Sequence, residues 1–192
     1  MNIFFLHTNP RRCARWHCDK HVVKMLLETC QLLYTCHWIC DGAAAAATVA
    51  TAPLTVSGGR GYKKSHWNHP CAKWVRMSLT NYIWLTTFGL ELLREYRFRY
   101  PRHEHACGPH IEWLHEHRPA GLVDCGWTEP LLAMPDQYKS GDAVASYRRY
   151  YIAEKRRFAK YTGRREPHWL GTGAATATPA TGPTTVSRLV AT

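Results

Sequence analysis

The apolar positions of the chain fall into a few runs with different periods. "MNIFFL" at the N-terminus is a short, nearly continuous apolar run, which reads as a buried strand or extended segment. From Asn9-Pro10 the period becomes helical, with Val22, Val23, Leu26, Cys30 and Leu33 on one side. Pro10 suits a first helical position, so the spacing predicts a helix from Pro10 to about Ile39 that closes near Asp41-Gly42. A second period runs through Trp74, Leu79, Ile83, Phe88, Leu92 and Leu93, predicting one long core helix from Pro70 to Tyr100 with Gly89 as a place for a kink. A short helix is expected from about Pro109, and Asp142 suits the N-cap of a last helix, "AVASYRRYYIAEKRRFAKY".

Between these runs the sequence loses bulk. Residues 43–60 are alanine-rich, broken by Pro and Gly, and are expected to form a flexible insertion. Residues 171–192 have the composition of a disordered tail. The fold class is therefore mainly α, a single compact helical domain over 1–170 with a short N-terminal extended segment. No βαβ alternation or Gly-rich phosphate loop is present.

Charge narrows the partners. Against 14 Asp and Glu stand 25 Lys and Arg, a formal excess of +11 that favours polyanions, nucleic acid above all. No apolar run approaches the roughly 18 to 20 residues of a membrane span, and no signal peptide is visible, so a soluble intracellular protein of the cytoplasm or nucleus of a cell or virus host is expected. The eight cysteines include no C-x-x-C pair and read as mostly reduced thiols.

The chemistry concentrates in "HCDKHVVKMLLETCQLL". At about 100° per residue, His17, His21, Lys24 and Glu28 fall near 0, 40, 340 and 20° and form one narrow polar line. Three readings fit. The line is a solvated face with a Lys24–Glu28 ion pair; or His17 and His21 begin a zinc site, structural or hydrolytic; or a carboxylate and an amine share an active-site cleft. The surroundings favour the third. "GYKKSHWNHPCAKWVR" supplies Lys63, Lys64, His66, Trp67, Asn68, His69 and Lys73, and the C-terminal helix region supplies Arg148, Arg149, Lys155 and Arg156 among interleaved tyrosines, a mixture suited to phosphates and unpaired bases.

The order of these features resembles the phage-type pyrimidine-dimer DNA glycosylases with AP-lyase activity. The likeness rests on "DKH" followed seven residues on by Glu28, on "GYK...NHP", and on a second helix ending "LLREYRFRY". Uncharacterised phage and large-DNA-virus proteins with similar "CDKHVVKM" and "NHPCA" segments are likewise similar. The resemblance maps the family's Asp-x-His and catalytic glutamate onto Asp19, His21 and Glu28. It implies an amine nucleophile, the chain's own N-terminal amine and so Met1 here, acting on duplex DNA with an extruded nucleotide; Lys24, one turn from Glu28, is a second candidate amine by its position. No cofactor, metal, membrane or obligate protein partner is expected, and Asn68 and His69 are expected in the same cleft. The rival from another class is a non-catalytic nucleic-acid-binding protein.

Overall fold

The first expected helix is two helices. In the computed structural model, which describes residues 2–171, α1 spans Pro10–Arg15 and α2 spans Asp19–Cys40. Asn9 caps α1 as expected, its Oδ1 accepting from Arg12 N at 3.0 Å. The break at 16–18 is imposed from far along the chain. The Arg99 guanidinium donates to the carbonyls of Arg15 (3.1 Å) and His17 (2.8 Å), which a continuous helix would use internally. The Asp19 N–H that would have bonded Arg15 instead donates to Lys160 O at 2.8 Å.

The second long helix is broken in the same manner. Helix α4 covers Pro70–Val75 and α5 covers Leu79–Arg99. Ser78 caps α5, and Asp124 receives Ser78 Oγ (2.8 Å), Thr80 N (3.1 Å) and Thr80 Oγ1 (2.7 Å). Gly89 leaves α5 unbroken. A Cβ there would lie 2.8 Å from Ile111 Cδ1 and 3.2 Å from Thr29 Cγ2, so the glycine lets α5 approach α2 and helix α6 (Gly108–Glu116) closely.

Helix α5 is the centre against which α1, α2, α4 and α6 pack. Residues 43–60 hold a 3-10 turn and α3 (Ala45–Val49), with Ala45, Val49 and Ala52 buried. Small residues give the stretch little bulk, yet alanine favours helix and these three complete the core beside α2. Helix α7 (Ala143–Lys155) starts at Asp142, whose Oδ1 accepts from Ala145 N at 2.9 Å. A last turn, α8, spans His168–Gly171. The rest of the expected tail lies outside the described residues.

The N-terminal segment is extended and unpaired, and Ile3 to Leu6 are buried between the helices. Phe4 faces His21, Tyr150 and Tyr151, while Phe5 faces Trp74, Trp84 and Tyr147. Among the described residues there is no strand beyond an isolated bridge between Leu54 and Arg60. The domain is a single mainly helical unit, and no described helix is long and apolar enough to cross a membrane.

Candidate active site

Threading the N-terminal segment between α2, α4 and α7 delivers Asn2 to the middle of α2. Its backbone N–H donates to Glu28 Oε2 at 2.6 Å. Its side chain is fixed at both ends: Nδ2 donates to Ala133 O at 2.8 Å, and Oδ1 accepts from the Cys71 thiol at 3.4 Å. Burial pushes the Cys71 thiol up to about 11, so it keeps the proton it donates. The start of the chain is thereby clamped by residues from α4 and the 126–142 connection.

Glu28 is 6% exposed. One oxygen is taken by Asn2, and the other faces Lys24 Nζ at 3.4 Å, whose side chain is 66% exposed. The carboxylate borders a cavity of about 180 Å³ lined by Asn2, Phe4, His21, Lys24, Met25, Glu28, Tyr150 and Lys155. A backbone donor, a carboxylate and two ammonium groups therefore face one small space.

His21 forms a wall of this cavity. Its ring stacks on Phe4 at 4.7 Å and an interplanar angle of 12°. The Tyr151 hydroxyl accepts from Cys18 N at 2.9 Å and so has its own hydrogen for His21 Nδ1, 2.8 Å away. That leaves Nε2–H as the ring's remaining donor. Burial, then the nearby His17, Lys155 and Lys24, pull the His21 pKa down to about 3, so the ring is neutral at pH 7.

His17 does not share the polar line. It is buried in the corner between α1 and α2, its Nδ1 against Cys13 O at 2.8 Å, and burial lowers its pKa to about 4. The His17 and His21 rings are 6.3 Å apart, and among the described residues no three His, Cys, Asp or Glu side chains gather to hold a metal ion. All eight cysteines are free.

Asp19, the acidic member of the Asp-x-His pattern, faces away from the cavity. It pairs with Arg99 Nη1 at 3.0 Å and accepts from Thr162 N (3.0 Å) and Thr162 Oγ1 (2.8 Å). Arg99 also meets Glu95 Oε2, and Glu95 receives both Nε (3.0 Å) and Nη2 (2.8 Å) of Arg164. The "LLREYRFRY" ending of α5 thus fastens the 160–164 segment to the start of α2.

The expected nucleic-acid residues are scattered. Lys63, Lys64, Asn68 and Lys73 are exposed, and Trp67 is 52% exposed on a loop where His66 takes a left-handed φ of 47°. Neither Asn68 nor His69 lines the Glu28 cavity; His69 caps α4 by accepting from Cys71 N at 3.2 Å, and its ring lies near enough to Glu28 to feel the carboxylate's charge. Arg148 turns inward, donating to Leu6 O at 2.9 Å with its guanidinium 4.9 Å from the centre of the Trp16 ring. Arg149 donates to Tyr138 O at 3.0 Å, while Arg156 is exposed. Lys155 lines the cavity itself, with Nζ 4.9 Å from the Tyr150 ring centre. Met1 lies outside the described residues. Asn2, Phe4, Cys71, Ala133 and Tyr151 carry no sequence signal that ties them to Glu28; only the thread of the N-terminal segment joins them.

A sequence profile of the pyrimidine dimer DNA glycosylases matches residues 1–107, more than half of the chain. No curated protein and no solved structure matches.

Proposed function

This chain belongs to the pyrimidine dimer DNA glycosylase family, and on that premise we propose that it excises a damaged or modified base from duplex DNA through an amine nucleophile, with Glu28 as the catalytic carboxylate. The observation that carries the proposal is the 2.6 Å bond from Asn2 N to a buried Glu28. It sets the first residues of the chain beside the one carboxylate of the cavity.

Glycosidic cleavage by an amine needs a neutral nitrogen. An α-amine, with a reference pKa of about 7.7 to 8.0, is partly neutral at pH 7, whereas a lysine near 10.4 is not unless its surroundings act on it. The Met1 α-amine is therefore the proposed nucleophile, with Lys24, already paired to Glu28, as the second candidate. The nitrogen lone pair forms a bond to C1′ and the base departs with the electrons of its glycosidic bond, taking up a proton from solvent and leaving a secondary ammonium on C1′. Opening of the C1′–O4′ bond, with the amine proton passing to O4′, yields a cationic Schiff base that the Glu28 carboxylate stabilises. For AP-lyase activity, removal of a C2′ proton then expels the 3′ phosphate with the C3′–O electrons. Neutral His21, fixed by Tyr151 and Phe4, offers a hydrogen bond without adding charge beside the forming cation.

Reaching C1′ requires a nucleotide to leave the stack. The 180 Å³ cavity is the proposed receptor for that nucleotide, Lys24 and Lys155 the cations nearest its phosphates, and the exposed Trp67 a surface for the disturbed stack. The test is strand cleavage of a duplex bearing a single pyrimidine dimer. Glu28→Gln should lose about 10² to 10⁴ in rate while binding the duplex as wild type does. Equal cleavage by both proteins would return Glu28 to the role of an ion-pair partner, and duplex binding without cleavage by wild type would favour the non-catalytic reading.

A further inference from the structure

A larger recess lies apart from the Glu28 cavity, between α1 and residues 163–168. It encloses about 580 Å³, with Arg12, Arg15 and Trp16 on one side and Arg164, Arg165 and His168 on the other; Glu166 also lines it. We propose that this recess seats a stretch of DNA phosphodiester backbone flanking the nucleotide held at Glu28, a proposal that rests on the glycosylase reading.

Pairing within the recess separates the arginines that build it from those that face a ligand. Arg164 is committed: it grips Glu95 through two nitrogens, and its guanidinium stacks 3.7 Å from the centre of the Phe98 ring. The guanidinium groups of Arg12, Arg15 and Arg165 have no hydrogen-bond or ion-pair partner among the described residues. Three unpaired guanidinium groups against the single carboxylate of Glu166 leave the recess a net cationic surface.

Both walls are fixed before any ligand arrives. Tyr161 OH donates to Trp16 O at 3.1 Å, Thr162 is held by Asp19, and Arg99 ties α1 to α5. The Trp16 ring is pinned by Arg148 and by an edge contact with His168 at 5.9 Å. A preorganised cationic recess binds at a smaller ordering cost than flexible surface lysines would.

Continuity with the Glu28 cavity selects DNA backbone over a small free anion. The segment from Lys155 to Arg165 starts at that cavity and ends at the recess. Along the way Lys20 and Arg157 lie over the Phe158 ring, at 5.1 and 5.7 Å from its centre, and Lys160 O holds the start of α2. A polyanion leaving the cavity thus meets a cationic track whose far end is the recess. Arg12, Arg15 and Trp16 lie within the 107 residues matched by the family profile, whereas the facing wall, residues 163–168, lies beyond them.

The test measures affinity for an undamaged duplex between about 50 and 200 mM salt, where each neutralised phosphate contributes about 0.9 to the slope of log K against log salt. Arg12→Gln/Arg15→Gln/Arg165→Gln should lower that slope by roughly 2 to 3 and weaken binding most at low salt. Should the triple variant melt early by circular dichroism, the single Arg12→Gln should lower the slope by about 1. An unchanged slope in folded variants that still bind duplex overturns the recess proposal and leaves the Glu28 reading standing. Wild-type protein that binds no duplex at any salt overturns both.

Discussion

Arg97 and Arg99 stand two residues apart on α5 and both make ion pairs, yet removing them should have very different effects. Arg97 meets Glu104 at 3.2 Å and Glu112 at 3.6 Å, with side chains 46, 74 and 51% exposed, a setting in which such pairs contribute less than about 1 kcal/mol. The Arg99 side chain is fully buried and serves two carboxylates and two backbone carbonyls. Arg99→Met keeps an apolar stem of similar length but strips Asp19 of its cation and orphans the carbonyls that close α1; Glu95 keeps Arg164. Breaking a buried pair from one side costs about 3 to 5 kcal/mol. At roughly 2 to 4 °C per kcal/mol for a domain of this size, Arg99→Met should lower Tm by about 6 to 20 °C, whereas Arg97→Met, which loses both exposed pairs, should lower it by a few degrees and by at most about 8 °C. Thermal unfolding of the two variants and wild type, read by circular dichroism, gives both shifts. Equal losses would refute the claim that this network fastens α1, α2 and the 160–164 segment together.

Stability should also fall in mild acid. His17 and His21 bind a proton more weakly in the fold, with values near 4 and 3, than at their ordinary 6.5, so over that interval the unfolded chain carries more protons and stability drops as pH falls through it. His17 alone accounts for about 3 kcal/mol between pH 6.5 and 4, and a melting curve flat over that range would contradict the burial of both rings. Tyr151→Phe leaves Cys18 N and His21 Nδ1 without their shared partner, which should cost about 1 to 3 kcal/mol and slow dimer cleavage while duplex affinity stays unchanged; full activity would remove His21 orientation from the account.

Local signals in the sequence marked the features that local physics decides. Asn9 and Asp142 begin helices because their side chains satisfy orphan N–H groups nearby in sequence, and Lys24 and Glu28 share a face because both lie within α2. The interruption at 16–18 was illegible, since it is caused by a guanidinium more than eighty residues away competing for helix carbonyls. The same distance hid the part played by Asp19, which reads as a member of an active-site pattern and folds as an anchor for Thr162 and Arg99. Arg148 shows the converse limit: a basic residue on an amphipathic helix reads as a surface cation, yet Leu6 O and Trp16 draw it inward. Asn2 reached Glu28 only through the packing of Phe4 and Phe5 on opposite sides, which no helical period encodes.

Borohydride reduction of the protein on an oligonucleotide with a single abasic site, followed by mass mapping of the attached residue in wild type, Lys24→Ala and Glu28→Gln, tests amine catalysis beside Glu28 most directly. A covalent adduct is expected on the Met1 amine, surviving Lys24→Ala and strongly reduced in Glu28→Gln. An adduct confined to Lys24 would move the nucleophile one helical turn along α2, and duplex binding with no adduct in any of the three proteins would contradict the catalytic account.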